Sequence, residues 1–162
     1  MTVDHPTPAA ERPTAFPWPP VLIAGAVLGA WGLGRIAPVP WPGVDDWPAH
    51  AIGLGLGAIG VGLLVWAART LRLHNTTILP NKGADALVTS GPYHHVRNPI
   101  YLADVLIFLG LAEVTKNVWF VAAALVFAVL VTILAIGPEE RHLEAKFAGA
   151  YRDYKARTRR WI

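Results

Sequence analysis

The 162-residue sequence contains no cysteine and, apart from Met1, no methionine. The first absence removes disulfides, thiolate metal sites and cysteine nucleophiles together. Charge is scarce too: Asp, Glu, Lys and Arg make up 15% of the chain against 54% hydrophobic residues. An ordinary soluble domain carries about a quarter of its residues as charges, so that class is excluded. The charges that are present crowd between long uncharged stretches and toward the C-terminal region, which is membrane patterning. The opening residues 1–20 are polar and proline-rich and lack a basic run leading into a short apolar core. They do not read as a cleavable signal, so the first apolar span is expected to be retained. Residues 1–15 read as a disordered tail, and the length leaves room for one domain, 16–162.

The fold class expected is all-α: an integral membrane bundle of four transmembrane helices followed by a C-terminal amphipathic helix at the interface. About 20 apolar residues are needed to cross ~30 Å of hydrocarbon. The spans fall at about 16–37, 47–70, 98–113 and 117–138. The third is short and interrupted by Asp104. Gly25/Gly29 and Gly53/Gly57 are small-xxx-small pairs of the kind that let membrane helices approach closely, and they predict packing of the first two helices on each other. Residues 139–157 place Leu143, Phe147, Tyr151 and Tyr154 at helical spacing, with cations on the other faces, and predict a helix lying along the membrane surface or over the bundle.

Basic residues fix the expected orientation. Four spans put Arg12, Arg69, Arg72, Lys82, Arg97 and the cations from Arg141 to Arg160 on one side, leaving only Arg35 and Lys116 on the other. The basic side, with both termini, is expected to be cytoplasmic.

Among short motifs, Gly55-Leu-Gly57-Ala-Ile-Gly60 matches a dinucleotide fingerprint by letter. The fingerprint needs a preceding strand, whereas these glycines sit inside an apolar span, so helix packing is the better reading. The stretch from Leu87 to Tyr101, LVTSGPYHHVRNPIY, is more informative. Asn98 suits an N-cap and Pro99 the first helical turn. A helix start of that kind, beside Arg97, offers an anionic group free N–H donors and a cation. Taken alone, the same residues also fit a capped helix with an interfacial arginine and tyrosine. Glu139-Glu140 stands where the fourth span ends. Adjacent carboxylates there are commonly solvated helix-start charges, but on the Arg97 side of the membrane they also suit a cationic cofactor. Glu139 and His142 have E-x-x-H spacing without the matching pair a di-iron site needs, so no metal is expected. His94 and His95 read as loop histidines, one of them able to line a pocket mouth.

These boxes together resemble the isoprenylcysteine carboxyl methyltransferases and the related phospholipid methyltransferases: Leu87 to Tyr93, then Arg97-Asn98-Pro99-Ile100-Tyr101, then Glu139-Glu140 followed by Leu143, Phe147, Tyr151 and Tyr154. The likeness runs from about 87 to 160, nearly half the chain. It implies an S-adenosyl-L-methionine site involving Tyr93, Arg97, Asn98, Pro99, Tyr101, Glu139 and Glu140, with Arg97 a catalytic candidate. The residues themselves add His95 at the pocket mouth as a cofactor-binding candidate and Asp104, an ionisable side chain within a span and on the Tyr101 face, as a second catalytic candidate. Three positions depart from the family pattern: Asn98 stands for histidine, Ala148 for the glycine usual after Phe147, and Asp104 for a small or apolar residue.

The resemblance further implies methylation of a lipidic acceptor entering sideways from the bilayer, most like a prenylated cysteine carboxylate. The alternative acceptor is a phosphatidylethanolamine-type amine or another hydrophobic small molecule. Partners are membrane lipids and the lipidic or prenylated substrate, with no nucleic acid and no metal. Methyl transfer from a sulfonium asks the protein chiefly to align the reactants and exclude water. Two other classes fit a small helical membrane protein: a non-catalytic binding or scaffold module, and a nicotinamide-dependent membrane reductase.

Overall fold

A computed structural model describes residues 16–76 and 86–162. The tail 1–15, with Arg12, and the loop cation Lys82 lie outside the described residues. Every regular element among those described is helical: α1 (Trp18–Ile36), α2 (Trp47–Leu73), a short 3-10 turn (Gly91–His94), α3 (Pro99–Thr115), α4 (Trp119–Val131), a π turn (Thr132–Ile136) and α5 (Gly137–Arg157).

Helix starts reflect local chemistry. Asp46 caps α2 by accepting from the Ala49 N–H at 2.9 Å, with Pro48 in the first turn. Pro99 likewise opens α3, where its missing N–H removes a donor that has no partner anyway. Asn98 precedes it, but its side chain does not cap the helix. The expected capping bond is replaced by one from Asn98 Nδ2 to the Arg160 carbonyl at 3.0 Å.

Among the described residues, three helices are long and apolar enough to cross a membrane: Trp18–Ile36, Trp47–Leu73 and the continuous run Trp119–Arg157, whose apolar part ends at the π turn. Their outward residues, among them Leu28, Trp31, Ile52, Ile59, Trp66, Leu125 and Ile133, are exposed large hydrophobics, as lipid contact requires. α3 has 17 residues, or about 25 Å at 1.5 Å per residue. It is nonetheless the most enclosed helix, with Tyr101, Ala103, Asp104, Phe108, Gly110 and Ala112 all buried.

Packing corrects one expectation. α1 packs chiefly on α4, and α2 on α3, rather than α1 on α2. Nothing lies within 4 Å of where a Cβ on Gly25 or Gly29 would stand. Gly53 leaves room for the Glu113 side chain, while a Cβ on Gly110 would meet Gly57 N at 2.7 Å and Gly53 O at 2.8 Å. The glycines of α2 therefore seat α3. Of the three fingerprint-like glycines, Gly60 continues the seam against Ala103 O and Gly57 meets Gly110 through its backbone, whereas Gly55 is exposed with nothing within 4 Å of its Cβ position. On the other side of α3, Phe108 meets Phe127 of α4 edge-on at 5.4 Å, in a core completed by Ala30, Tyr101, Ala112, Phe120 and Ala124.

Candidate functional site

The chain leaves α2 and returns to α3 through a turn that glycine makes possible. Gly91 has φ +59, and a Cβ there would lie 2.7 Å from Thr70 Oγ1. The close approach seats the turn Gly91–His94 on α2 and buries Tyr93 beside Ala67 and Val88. His94 and His95 remain exposed, their rings 5.2 Å apart.

From the far end of the chain, α5 reaches the same loop. The π turn, marked by Thr132 Oγ1 donating to Ala128 O at 2.6 Å, inserts a residue into the helical repeat and rotates α5 by roughly 100°. Glu140 is turned inward and buried. Its Oε1 accepts from Arg97 Nε at 3.2 Å and from Arg160 Nε at 3.1 Å, and its Oε2 accepts from Arg160 Nη2 at 2.6 Å. Arg97 Nη1 also donates to the carbonyls of Lys155, at 3.2 Å, and Thr158. Its backbone N–H donates to Arg159 O at 2.8 Å, within a parallel bridge between Val96 and Arg159. Tyr154 Oη donates to Tyr93 O at 2.7 Å. Two segments far apart in sequence are thus bound along their backbones.

Electrostatics separate the paired glutamates. Burial alone would raise the Glu140 carboxyl, but the Arg160 hydrogen bond and charge, with Arg97 next, outweigh it and hold Glu140 below the ordinary carboxylate value. Glu139 accepts no hydrogen bond among the described residues. It lies close enough to act on Tyr93, whose phenol is raised first by burial and then by the Glu139 charge, and its charge reaches Tyr101 as well. One turn beyond Tyr101, Asp104 is buried with Oδ2 unpaired. Such an oxygen in a helical bundle is costly unless something else satisfies it. Among the described residues, no group of three or more His, Asp or Glu side chains is placed to hold a metal ion.

Residues 48–150, spanning α2, the Arg97 loop, α3, α4 and most of α5, match the phospholipid methyltransferase family. The chain belongs to that family. A cobalt-zinc-cadmium resistance protein, CzcN, of Cupriavidus metallidurans is 35% identical over 106 residues, which cover 65% of this chain and 46% of the relative. A nickel-cobalt-cadmium resistance protein, NccN, of Alcaligenes xylosoxydans xylosoxydans is 30% identical over 114 residues, covering 70% of this chain and 51% of the relative. The chain spans about half the length of these curated relatives. No solved structure matches it.

Within this family frame, Tyr93, Arg97, Asn98, Pro99, Tyr101, Glu139 and Glu140 gather at one end of the α3–α4 pair, with Asp104 a turn deeper, while His95 sits outside in an exposed position. Arg97 is not a free cation awaiting an anion, because Glu140 and two tail carbonyls already engage it. The residue that the motifs did not single out is Arg160. In sequence it is one more cation in a basic run, and only its contact with Glu140 distinguishes it. His142 adds a buried Nε2 without a partner.

Proposed function

We propose that the protein is an S-adenosylmethionine-dependent methyltransferase of the membrane acting on a lipidic acceptor. The observation that carries this reading is the coincidence of the family match with the convergence of Tyr93, Arg97, Tyr101 and the Glu139–Glu140 pair. The donor set fits the cofactor: the unpaired Glu139 carboxylate beside tyrosine rings suits a sulfonium cation and an amino or ribose group. When bound, S-adenosylmethionine supplies a methyl group already activated for displacement. Glu139 would bind the cofactor's donor groups, Tyr93 and Tyr101 would wall the pocket and exclude water, and Glu140 would hold Arg97 and the start of α3 in place. No strong base is required of the chain if the acceptor is a carboxylate.

The same reading gives α3 as a short fourth span, α5 as a helix on the cytoplasmic surface, and both termini in the cytoplasm. The basic residues on the Arg97 side support that orientation. The acceptor is read first as a prenylated cysteine carboxylate. Asp104 favours a second reading, an amine-type acceptor, because a buried carboxylate with an unpaired oxygen repels an anionic acceptor and attracts a hydrogen-bond donor.

Calorimetry of the detergent-purified protein with S-adenosylhomocysteine tests the cofactor, and saturable binding is expected. A folded protein that ignores this ligand, or that binds NADPH in its place, would return the chain to the scaffold or reductase classes. Asp104→Asn tests the acceptor. An acceptor role predicts turnover lost while cofactor binding and thermal midpoint hold, whereas lost stability with activity per folded molecule intact would make Asp104 a packing residue.

A further inference from the structure

Three donor groups of the Arg97 loop are taken by the C-terminal segment. The Arg97 guanidinium is held by Lys155 O and Thr158 O, the Arg97 N–H by Arg159 O, and the Asn98 amide by Arg160 O. These acceptors are backbone carbonyls, groups that an incoming anionic or polar ligand replaces atom for atom. The segment is no longer helical at Thr158 (φ −124, ψ 143); Arg159 is exposed and the Arg160 side chain is half-exposed. Arg160 is its one ionic tie to the bundle beneath, through the two-point contact with Glu140, beside the Thr158 hydroxyl, which donates to Tyr154 O, and Trp161, which rests on the core. The segment is thus buried on its backbone side and at Thr158, open to solvent at Arg159 and Arg160, and fastened at its outer end by an ion pair.

We propose that Thr158–Arg160 is a movable strap latched by Arg160 on Glu140, and that ligand exchange at the Arg97 loop requires the strap to lift. This rests on the methyltransferase reading for the identity of the ligand but not for the motion itself. Arg160 is a positioning residue: it touches Glu140, and through Glu140 it sets Arg97. With the latch closed, Arg97 is satisfied and the loop is shut. With the latch open, Arg97 and the Asn98 amide face whatever enters, and Glu140 keeps Arg97 in place. Salt screens the half-exposed Arg160 arm more than the buried Arg97 arm, so raised ionic strength opens the strap before it disturbs the loop.

The absence of native cysteine makes a covalent test possible. Val96→Cys and Arg159→Cys place a thiol on each partner of the parallel bridge, and neighbouring extended backbones about 4.8 Å apart are within disulfide reach. The probe is S-adenosylhomocysteine, with stopped-flow association and dissociation measured on the oxidised and reduced forms of the doubly substituted protein. Oxidation is expected to slow exchange at least tenfold, and a thiol reductant to restore it. Equal rates in the two forms would overturn the proposal, because a permanently closed strap would then be no obstacle. Arg160→Gln provides an independent arm should the disulfide fail to form. It is expected to speed dissociation several-fold with the thermal midpoint nearly kept, Arg160→Lys should recover part of the effect, and unchanged dissociation in both would also overturn the proposal. Hydrogen exchange at the Arg97 amide reads strap opening without any ligand. Faster exchange in Arg160→Gln alongside no binding of S-adenosylhomocysteine by the parent protein would leave the strap standing and remove the methyltransferase reading. Unaltered exchange would remove the strap.

Discussion

α1 and α2 carry the same glycine spacing, yet they are held in the molecule in different ways. Gly25 and Gly29 of α1 face open space, whereas Gly53, Gly57 and Gly60 of α2 receive α3 so closely that backbone meets backbone at Gly110. A small-xxx-small pair permits close approach but does not choose the partner. In α2 the partner is chosen by what comes next in the chain, because the loop carrying Gly91 returns α3 along the same helix. The Arg97 loop is therefore mounted on the α2–α3 seam, while α1 reaches the bundle through α4 and presents most of its surface outward, where lipid would lie.

The sharpest way to break this contrast is to add a side chain on each side of it. Gly110→Leu would drive atoms into Gly57 N and Gly53 O, neither of which can move aside without parting the helices. The expected loss is about 3 kcal/mol, at the upper end of overpacking costs. Gly29→Leu meets nothing and is expected to stay within about 0.5 kcal/mol of the parent. Thermal unfolding in detergent measures both. Equal losses would mean that α1 is packed as tightly as α2.

Glu140 and Glu139 extend the comparison to the site. Glu140→Gln leaves Arg97 buried with its charge uncompensated and is expected to cost about 3 kcal/mol, the low end for breaking a buried pair, because Arg160 is partly exposed. Glu139→Gln removes no protein hydrogen bond, so stability is expected to hold within about 0.5 kcal/mol. Binding of S-adenosylhomocysteine is expected to weaken about tenfold, the scale of one charge-assisted bond. The depressed Glu140 carboxyl sets the sign of the pH effect. Its stabilisation is complete above the ordinary glutamate value and is lost as pH falls through the lowered one. Acid unfolding of Glu140→Gln should therefore lack that step, and an unchanged acid profile would show that the Arg97–Glu140–Arg160 cluster contributes nothing.

The extent to which these features were legible in sequence depends on how far apart in the chain their causes lie. Helix starts at Trp18, Trp47 and Pro99 came within a residue or two of expectation, because proline, Asp46 and apolar runs act over a single turn. The convergence of Tyr93, Arg97 and Glu140 was legible through a resemblance spanning several boxes rather than through any one of them. The choice of α4 rather than α2 as the neighbour of α1 was not, since apolar faces in lipid carry no pairing signal. Arg160 was also hidden. Its partners Glu140 and Asn98 are 20 and 62 residues away, and in a basic run it is read as topology. Asn98 stands at the N-cap position as expected, but its side chain makes no capping bond and instead donates through Nδ2 to the distant Arg160 carbonyl, a partner that local sequence does not reveal.

A small gain in stability is expected at Ala148, the position where glycine is usual in the resembling enzymes. Its backbone adopts φ 44 and ψ −114 inside α5, a conformation that a Cβ makes unfavourable by about 1–3 kcal/mol. The kink has a structural use, because beyond it Tyr151 and Tyr154 are buried and Tyr154 reaches Tyr93. Ala148 itself is exposed, so removing its methyl group costs little burial. Glycine adds unfolded-state entropy worth up to about 1 kcal/mol, which offsets part of the relief. Ala148→Gly is therefore expected to stabilise the protein by about 0.5–1 kcal/mol. The neighbouring Gly149 has no positive φ and open space at its Cβ position, so Gly149→Ala should add a few tenths more, and the double exchange should exceed either change alone. A lowered midpoint for Ala148→Gly would mean that α5 runs unbroken through 148.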